Sequence, residues 1–309
     1  MKYFAVAIFA VVLGALIPTQ ARAQIFFQGF ETDTNGWFGD ITRVPSGSPD
    51  ANYASGINAA LGNFFARLQE NTPCTPGGDC SGAFTFWGSP TFSGIPMPPS
   101  GSVSELAIYL DVSFAATHSD YRFDWDSSLL DSNGNFLQDF VFNAGANTVY
   151  SPPTLPACAP ASGGYFVITA SNNSQRAGAN AANPGRAPQC IATSGWYTFR
   201  HTFHPDNAGN LEVDFDILDS GGAVVASWNP SVPGSDASSP GYSFSTVGSN
   251  FYGFLADEEI IGLAIDNTLL RPRQPNTKDD CKDGNWKLFT NPSFKNQGQC
   301  VSFTNHQNH

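Results

Sequence analysis

The stretch that decides the fold runs from Trp196 to Trp228. It reads Trp196-Tyr-Thr-Phe-Arg-His-Thr-Phe-His204, Pro205-Asp-Asn-Ala-Gly-Asn210, Leu211-Glu-Val-Asp-Phe-Asp-Ile-Leu218, Asp219-Ser-Gly-Gly222 and Ala223-Val-Val-Ala-Ser-Trp228. Side chains of one kind recur at every second position, through Tyr197, Phe199, His201 and Phe203 and again through Leu211, Val213, Phe215 and Ile217. Only an extended chain keeps alternate side chains on one face, so each run predicts a half-buried strand. The Pro/Asn/Gly and Gly-Gly punctuation supplies turn conformations that aromatic and β-branched residues avoid. The segment therefore predicts an antiparallel meander.

Short strand candidates extend outward from it. They are Ile25–Phe30, Phe64–Leu68, Ala83–Trp87, Ser104–Val112, Tyr121–Trp125, Gln138–Asn143, Tyr165–Ala170, Tyr242–Thr246 and Leu263–Leu270. No window shows convincing 3.6-residue periodicity, and strands at this spacing indicate an all-β, antiparallel two-sheet sandwich or jelly roll.

The first 23 residues read as a signal peptide: Lys2, an apolar run from Tyr3 to Ile17, and the small-x-small site Ala21-Arg22-Ala23. That run is shorter than the ~20 apolar residues a membrane span needs, and no later run approaches that length. The expectation is a secreted protein, extracellular or periplasmic, without membrane insertion. Acids outnumber bases, 26 Asp and Glu against 14 Lys and Arg, for a formal net charge of −12. Such a field repels nucleic acid and anionic membrane, so neither is an expected partner.

Six cysteines follow the cleavage site, which suits an oxidising compartment. Their spacing predicts local bridges: Cys74–Cys80 across Thr-Pro-Gly-Gly-Asp, Cys158–Cys190 across an Asn/Gly-rich loop, and Cys281–Cys300 near the end. Every lysine after Lys2 lies at 278, 282, 287 or 295, and Arg271-Pro-Arg-Gln-Pro275 reads as a linker. The expected organisation is a sandwich domain over 24–272 and a disulfide-stapled tail over 275–309.

The opening Phe27-Gln-Gly-Phe30-Glu31-Thr-Asp33-Thr-Asn-Gly36-Trp37 and the ending Leu263-Ala-Ile265-Asp266-Asn267-Thr-Leu269 resemble bacterial jelly-roll domains of the carbohydrate-binding and concanavalin A-like lectin type. The resemblance implies paired first and last strands with a structural calcium held by acids near them. Glu31 and Asp266 are the candidate ligands, because Ca²⁺ takes several carboxylate and carbonyl oxygens. Ala83-Phe-Thr-Phe-Trp87-Gly, Ile108-Tyr-Leu-Asp111-Val, Arg122-Phe-Asp-Trp125, Arg176-Ala-Gly-Ala-Asn180 and Gly195-Trp-Tyr-Thr-Phe199 resemble an uncharacterised family of exported bacterial proteins. The tail, Cys281-Lys-Asp-Gly-Asn-Trp286-Lys-Leu-Phe289 with Phe294-Lys-Asn-Gln-Gly-Gln-Cys300-Val-Ser-Phe303, resembles a module found at the ends of many exported bacterial proteins.

Two constellations bear on chemistry. Glu212-Val-Asp214-Phe-Asp216 resembles the Glu-x-Asp-x-(x)-Glu strand of laminarinase-type sandwich glycosidases, whose acids line a sugar cleft. Asp216 is one methylene shorter than the Glu of that pattern, and the same spacing equally describes a solvated acidic face. Asp131-Ser-Asn-Gly-Asn135 reads as a hairpin turn, since it lacks the EF-hand glutamate. His201 and His204, three apart on a strand, point to opposite faces, with His201 inward.

For a sugar ligand, aromatic platforms with amides and cations are needed. Trp87 and Trp125 supply the first expectation, and Asn173, Arg176, Asn180 and Arg186 of the long 171–187 loop the second. The resulting expectation is an exported, non-catalytic protein recognising an extracellular polysaccharide or surface polymer. The alternatives are a glycoside hydrolase or polysaccharide lyase using Glu212, Asp214 and Asp216, or a structural surface or matrix protein. Oligomeric state is left open.

Overall fold

The structure is a computed structural model that describes residues 25–48, 56–68, 82–89, 93–117, 122–146, 164–172, 186–229, 242–257 and 262–307. The leader, Cys74, Cys80, Cys158, Asn173, Arg176 and Asn180 lie outside the described residues.

Two eight-stranded antiparallel sheets face one another. Sheet A runs β14 (Val224–Trp228), β13 (Leu211–Leu218), β12 (Gly195–Pro205), β7 (Ser102–Leu110), β16 (Ala264–Pro272), β4 (Phe64–Leu68) and β3 (Ile41–Pro45), with β1 (Phe26–Gln28) also on β16. Sheet B runs β11 (Arg186–Ile191), β10 (Phe166–Asn172), β9 (Phe136–Ala146), β8 (Arg122–Asp131), β15 (Val247–Asp257), β5 (Gly82–Thr85) and β2 (Trp37–Gly39), with β6 (Ile95–Pro96) also on β15. The first and last strands pair, Phe26 opposite Leu270 and Gln28 opposite Thr268.

The meander is made of β12, β13 and β14, in register His204 opposite Glu212, Thr202 opposite Asp214 and Arg200 opposite Asp216. Its three-residue turns share one device with the β8–β9 turn. Asp131, Asp206 and Asp219 each accept, on Oδ1, the N–H groups two and four residues on, at 2.7–2.9 Å. Gly134, Gly209 and Gly222 then take φ of 82, 82 and 81°, the left-handed position of a type I turn with a bulge. Asp131 is thus a turn cap, as its sequence suggests.

The core is aromatic. Phe199, Phe203 and Phe215 of sheet A meet Phe123, Phe140 and Phe142 of sheet B, with centroids 4.9 Å apart for Phe142–Phe215 and 5.4 Å for Phe140–Phe203. His201 sits inside this cluster at 0% exposure, 4.6 Å from Phe215 and 4.8 Å from Phe142. Burial pushes its imidazole down from the ordinary value to about 3, so it is held neutral. Trp87 and Trp125 are also core residues, 1% and 0% exposed, with centroids 6.2 Å apart. A Cβ on Gly253 would lie 2.4 Å from the Trp125 ring and 2.9 Å from the Trp87 ring, so only glycine lets β15 pass these indoles.

Among the described residues helix is confined to short pieces. The largest is α2 (Gln297–Gln307) in the tail, which periodicity did not disclose; α1 (Val112–Ala115) is one turn capped by Asp111. No helix among the described residues is long and apolar enough to cross a membrane. Cys281 and Cys300 are bonded, with Cα atoms 5.7 Å apart, and Cys190 is disulfide-bonded too. Around the tail disulfide pack Phe289, Phe294 and Phe303. The segment read as a linker is not a free spacer. Arg271 and Pro272 end β16, the Arg273 N–H donates to Gly101 O, Gln274 is 8% exposed, and Arg273 pairs with Asp280 of the tail.

Candidate functional site

Two outer faces carry chemistry. On sheet A, the positions between the inward Leu211, Val213, Phe215 and Ile217 place Glu212, Asp214 and Asp216 on the outside, as period 2 requires. Each acid has a partner. The Asn229 amide donates to Glu212 Oε1 at 2.7 Å and to Asp214 Oδ1 at 2.9 Å, while Ser227 donates to Asp216 Oδ1 at 2.8 Å. His204 Nε2 lies 2.9 Å from Asp214 Oδ2. Burial pushes Asp216 up, against the Ser227 hydrogen bond and the Arg200 charge. Behind them Glu105 bridges Arg200 at 2.7 Å and Arg271 at 3.1 Å. Burial alone would raise that carboxyl, but the two guanidiniums outweigh it and hold it below its ordinary value. A cleft opens where this face meets the tail, lined by His204, Asp206 and Glu212 on one side and by Asp279, Asp280 and Phe289 on the other.

On sheet B the outer face of β2, β5 and β15 is a continuous aromatic surface. Phe38, Phe84 and Phe254 stand directly opposite one another across the three strands. Phe38 and Phe84 stack at 5.5 Å, Phe84 and Phe86 meet edge-on at 5.4 Å, and Phe86 continues to Phe251 at 5.7 Å. Phe251 and Tyr252 are 4.9 Å apart. Among the described residues, Phe84, Phe86, Phe251, Tyr252 and Phe254 line a shallow depression of ≈310 Å³, and Phe38 beside it is 46% exposed. The sheet turns polar at one end of this surface. Tyr252 donates to Asp139 Oδ1 at 3.2 Å, and Ser128 donates to the same oxygen. Burial pushes the Tyr252 hydroxyl up to about 12, with Asp139 and Asp126 adding to the effect, and burial raises Asp139 as well.

The terminal-strand acids converge on one loop. Asp266 Oδ2 accepts the N–H groups of Ala60 and Leu61 at 3.0 and 3.2 Å, and Glu31 accepts those of Asn63 and Phe64 at 2.9 and 3.1 Å. Burial pushes Asp266 up to about 6, and the Glu31 charge contributes. The Arg43 guanidinium donates to Phe30 O at 2.6 Å and to Glu31 O, bringing one positive charge to the same corner. The loop N–H groups occupy carboxylate lone pairs that a divalent cation would use.

Of the sugar-binding residues read from the sequence, Trp87 and Trp125 are corrected by the structure. Both indoles fill the sandwich interior and present no platform to a ligand. Arg186 opens β11, opposite Ala170 of β10. The aromatic face that the structure reveals was hidden in the same motif. In Ala83-Phe-Thr-Phe-Trp87 both alternating sets include aromatic rings, so the period gives no direction, and the inward set proved to be Ala83, Thr85 and Trp87.

No protein-family model matches this chain. No curated protein matches it. Among solved structures it is similar to an endo-β-1,4-glucuronan lyase from the fungus Trichoderma reesei, at 10% identity and a TM-score of 0.38, covering 81% of this chain and 96% of that one. It is similar to a marine alginate lyase from Aplysia kurodai at 8% identity and a TM-score of 0.37, covering 81% and 100%. A third is the CBM22-1–GH10 xylanase 10B of Clostridium thermocellum complexed with xylohexaose, at 8% identity and a TM-score of 0.33 over 84% of this chain. The chain spans 31% of that xylanase structure. At such identities the likeness transfers no residue role.

Proposed function

We propose that the protein is an exported, non-catalytic module that binds a neutral extracellular polysaccharide on the aromatic face of sheet B. The observation that carries the reading is the in-register row Phe38–Phe84–Phe254, extended by Phe86, Phe251 and Tyr252 on the outside of the sandwich. A cluster of rings on an outer face is not explained by the core, which is complete without it. Exposed apolar patches of this kind mark binding surfaces. Pyranose rings carry C–H groups on their faces, and these pack on the electron-rich faces of aromatic rings. Among the described residues the depression is lined by aromatic rings, and the Tyr252–Asp139 pair at its margin can exchange hydrogen bonds with sugar hydroxyls. The negative net charge disfavours polyanionic glycans.

In this reading the acidic strand is a polar outer face, with Asn229 and Ser227 hydrogen-bonding one oxygen of each carboxylate. A structural calcium between Glu31 and Asp266 forms a second, separable part of the proposal. It rests on the convergence of both carboxylates on the 60–64 loop and would lock the terminal strands to that loop. The test of the binding role is a pull-down on a panel of insoluble neutral polysaccharides, run beside sedimentation velocity. Retention on at least one polysaccharide by wild type, and its loss in Phe84→Ser, supports the reading. Absence of retention together with self-association that Phe84→Ser abolishes would assign the face to a second copy of the chain instead.

A further inference from the structure

The β12–β13 pairing places His204 directly opposite Glu212, with Asp214 two residues further along the same face. One ligand atom from each of His204, Glu212 and Asp214 lies within 4.8 Å of the other two. The hydrogen bonding of the histidine is the telling feature. Nδ1 is 3.1 Å from the Pro205 carbonyl oxygen, and Nε2 is 2.9 Å from Asp214 Oδ2. Both partners are acceptors, whereas a neutral imidazole has one N–H and one lone pair. Either tautomer therefore leaves one ring nitrogen facing an oxygen lone pair with nothing between them. A positive centre on Nε2 resolves the conflict; a second ring proton would do so by pairing with Asp214, and it is the second carboxylate, Glu212, beside the ring that favours a metal ion.

Nδ1–H donating to a backbone carbonyl is the outer hydrogen bond that fixes the tautomer of a metal-binding histidine and turns Nε2 inward. Asn229 performs the same service for the acids. Its amide donates to Glu212 Oε1 and Asp214 Oδ1, while Asp214 Oδ2 meets Nε2 at 2.9 Å and Glu212 Oε2 lies 4.0 Å from Nδ1. Ligands on a tetrahedral ion with bonds of about 2.0–2.1 Å sit roughly 3.3 Å apart, so Nε2 and Oδ2, now 2.9 Å apart, would part by a few tenths of an ångström to admit an ion and Glu212 would close in from the Nδ1 side. The site lies at the cleft between sandwich and tail, and the side chains keep 12, 29 and 38% exposure, so an ion could enter.

We propose that His204, Glu212 and Asp214 form a binding site for a first-row divalent transition metal of the zinc class, with Asn229 and the Pro205 carbonyl orienting the ligands. One nitrogen with two carboxylates selects such ions over Ca²⁺, which prefers an all-oxygen shell. The remaining coordination positions face the cleft. The site is independent of the aromatic face and of the binding role proposed for it.

The experiment is calorimetric titration of the metal-stripped mature chain with ZnCl₂, and in parallel with CaCl₂. Expected are one saturable Zn²⁺ site, at least tenfold tighter than any Ca²⁺ binding there, and a tenfold or greater weakening in both His204→Ala and Asp214→Asn. Asn229→Ala should weaken binding about 10–100-fold, and His306→Ala, on the tail helix, should leave it unchanged. Asp214→Asn preserves the side-chain shape and guards against a misfolded His204→Ala; Co²⁺ loaded into wild type should give a visible ligand-field spectrum that Asp214→Asn lacks. No saturable zinc binding, binding unaffected by Asp214→Asn, or preference for Ca²⁺ would overturn the assignment.

Discussion

Between pH 6.5 and 4, His201 should make a separable contribution to the acid destabilisation of this protein. The ring is fully buried among Phe142, Phe203 and Phe215, and burial depresses it to about 3 from an unfolded value of 6.5. The native state therefore declines a proton that the unfolded chain accepts. Its contribution to stability is complete above pH 6.5 and is lost progressively as pH falls toward 3, with the unfolded state binding more protons throughout that window. Each pH unit in the window is worth about 1.4 kcal/mol, so moving from pH 7.5 to 4 removes about 3 kcal/mol. That is a large share of the 5–15 kcal/mol typical of a folded domain. The assay is urea unfolding at a series of pH values for wild type and His201→Phe. A Phe at this place changes the packing energy by a pH-independent amount and does not titrate. The quantity that matters is the difference in slope, with wild type steeper by about 1 kcal/mol per pH unit between pH 6 and 4. Parallel pH profiles would refute the reasoning and show that His201 takes up its proton without leaving the core.

Other outcomes follow from single features. If calcium links Glu31 to Asp266, excess chelator lowers the melting temperature; an unchanged curve with no metal by elemental analysis removes the ion from the account. Without calcium, Asp266 is held above its unfolded value, so it favours the fold below about pH 4 and loses that contribution as pH rises through about 6. Its removal by Asp266→Asn should then flatten the stability profile between these values. Gly222→Ala should cost about 1–2 kcal/mol by urea unfolding, because φ is +81° and an added Cβ meets no neighbour, leaving backbone strain as the whole effect. Cys281→Ser with Cys300→Ser should cost the tail about 3 kcal/mol, for a bridge closing 19 residues. Hydrogen exchange should show that loss in α2 and not in β12.

Much of the fold was legible because its signal is local. The strands at Phe64–Leu68 and along the meander have strong alternation and turn residues at fixed places, and they appear where expected. The strand expected at Tyr242–Thr246 is a 3₁₀ turn over Phe244–Thr246, and β15, which follows it at Val247–Asp257, escaped notice because Gly248 and Gly253 interrupt its apolar run. Those glycines are there for close approach, Gly253 to two indoles and Gly248 to the Asp131 carbonyl. The tail helix α2 was illegible for a different reason. Its sequence, Gln297-Gly-Gln-Cys-Val-Ser-Phe-Thr-Asn-His-Gln307, is mostly polar, and its inward side is fixed by the disulfide and Phe303 rather than by an apolar stripe.

The candidate site was harder. Outward placement of Glu212, Asp214 and Asp216 follows from the period, whereas their shared partner Asn229 lies beyond β14 and needs the three-dimensional turn to reach them. His204 was set aside because it points away from His201; the same geometry is what brings it to Glu212 across the ladder. Tryptophan was read as platform and proved to be core, since its large apolar surface is worth more inside, while Phe84 and Phe86 took the outer face.

The central claim is that the aromatic face, and not the acidic strand, engages polysaccharide. The most direct test is calorimetric titration of a soluble oligosaccharide of the retained polymer into wild type, Phe86→Ala and Glu212→Gln. The account predicts that Phe86→Ala weakens binding roughly tenfold or more, a loss of about 1.4 kcal/mol, while Glu212→Gln binds as wild type does. Unchanged affinity in Phe86→Ala with loss in Glu212→Gln, or cleavage of the oligosaccharide that Glu212→Gln abolishes, would contradict it.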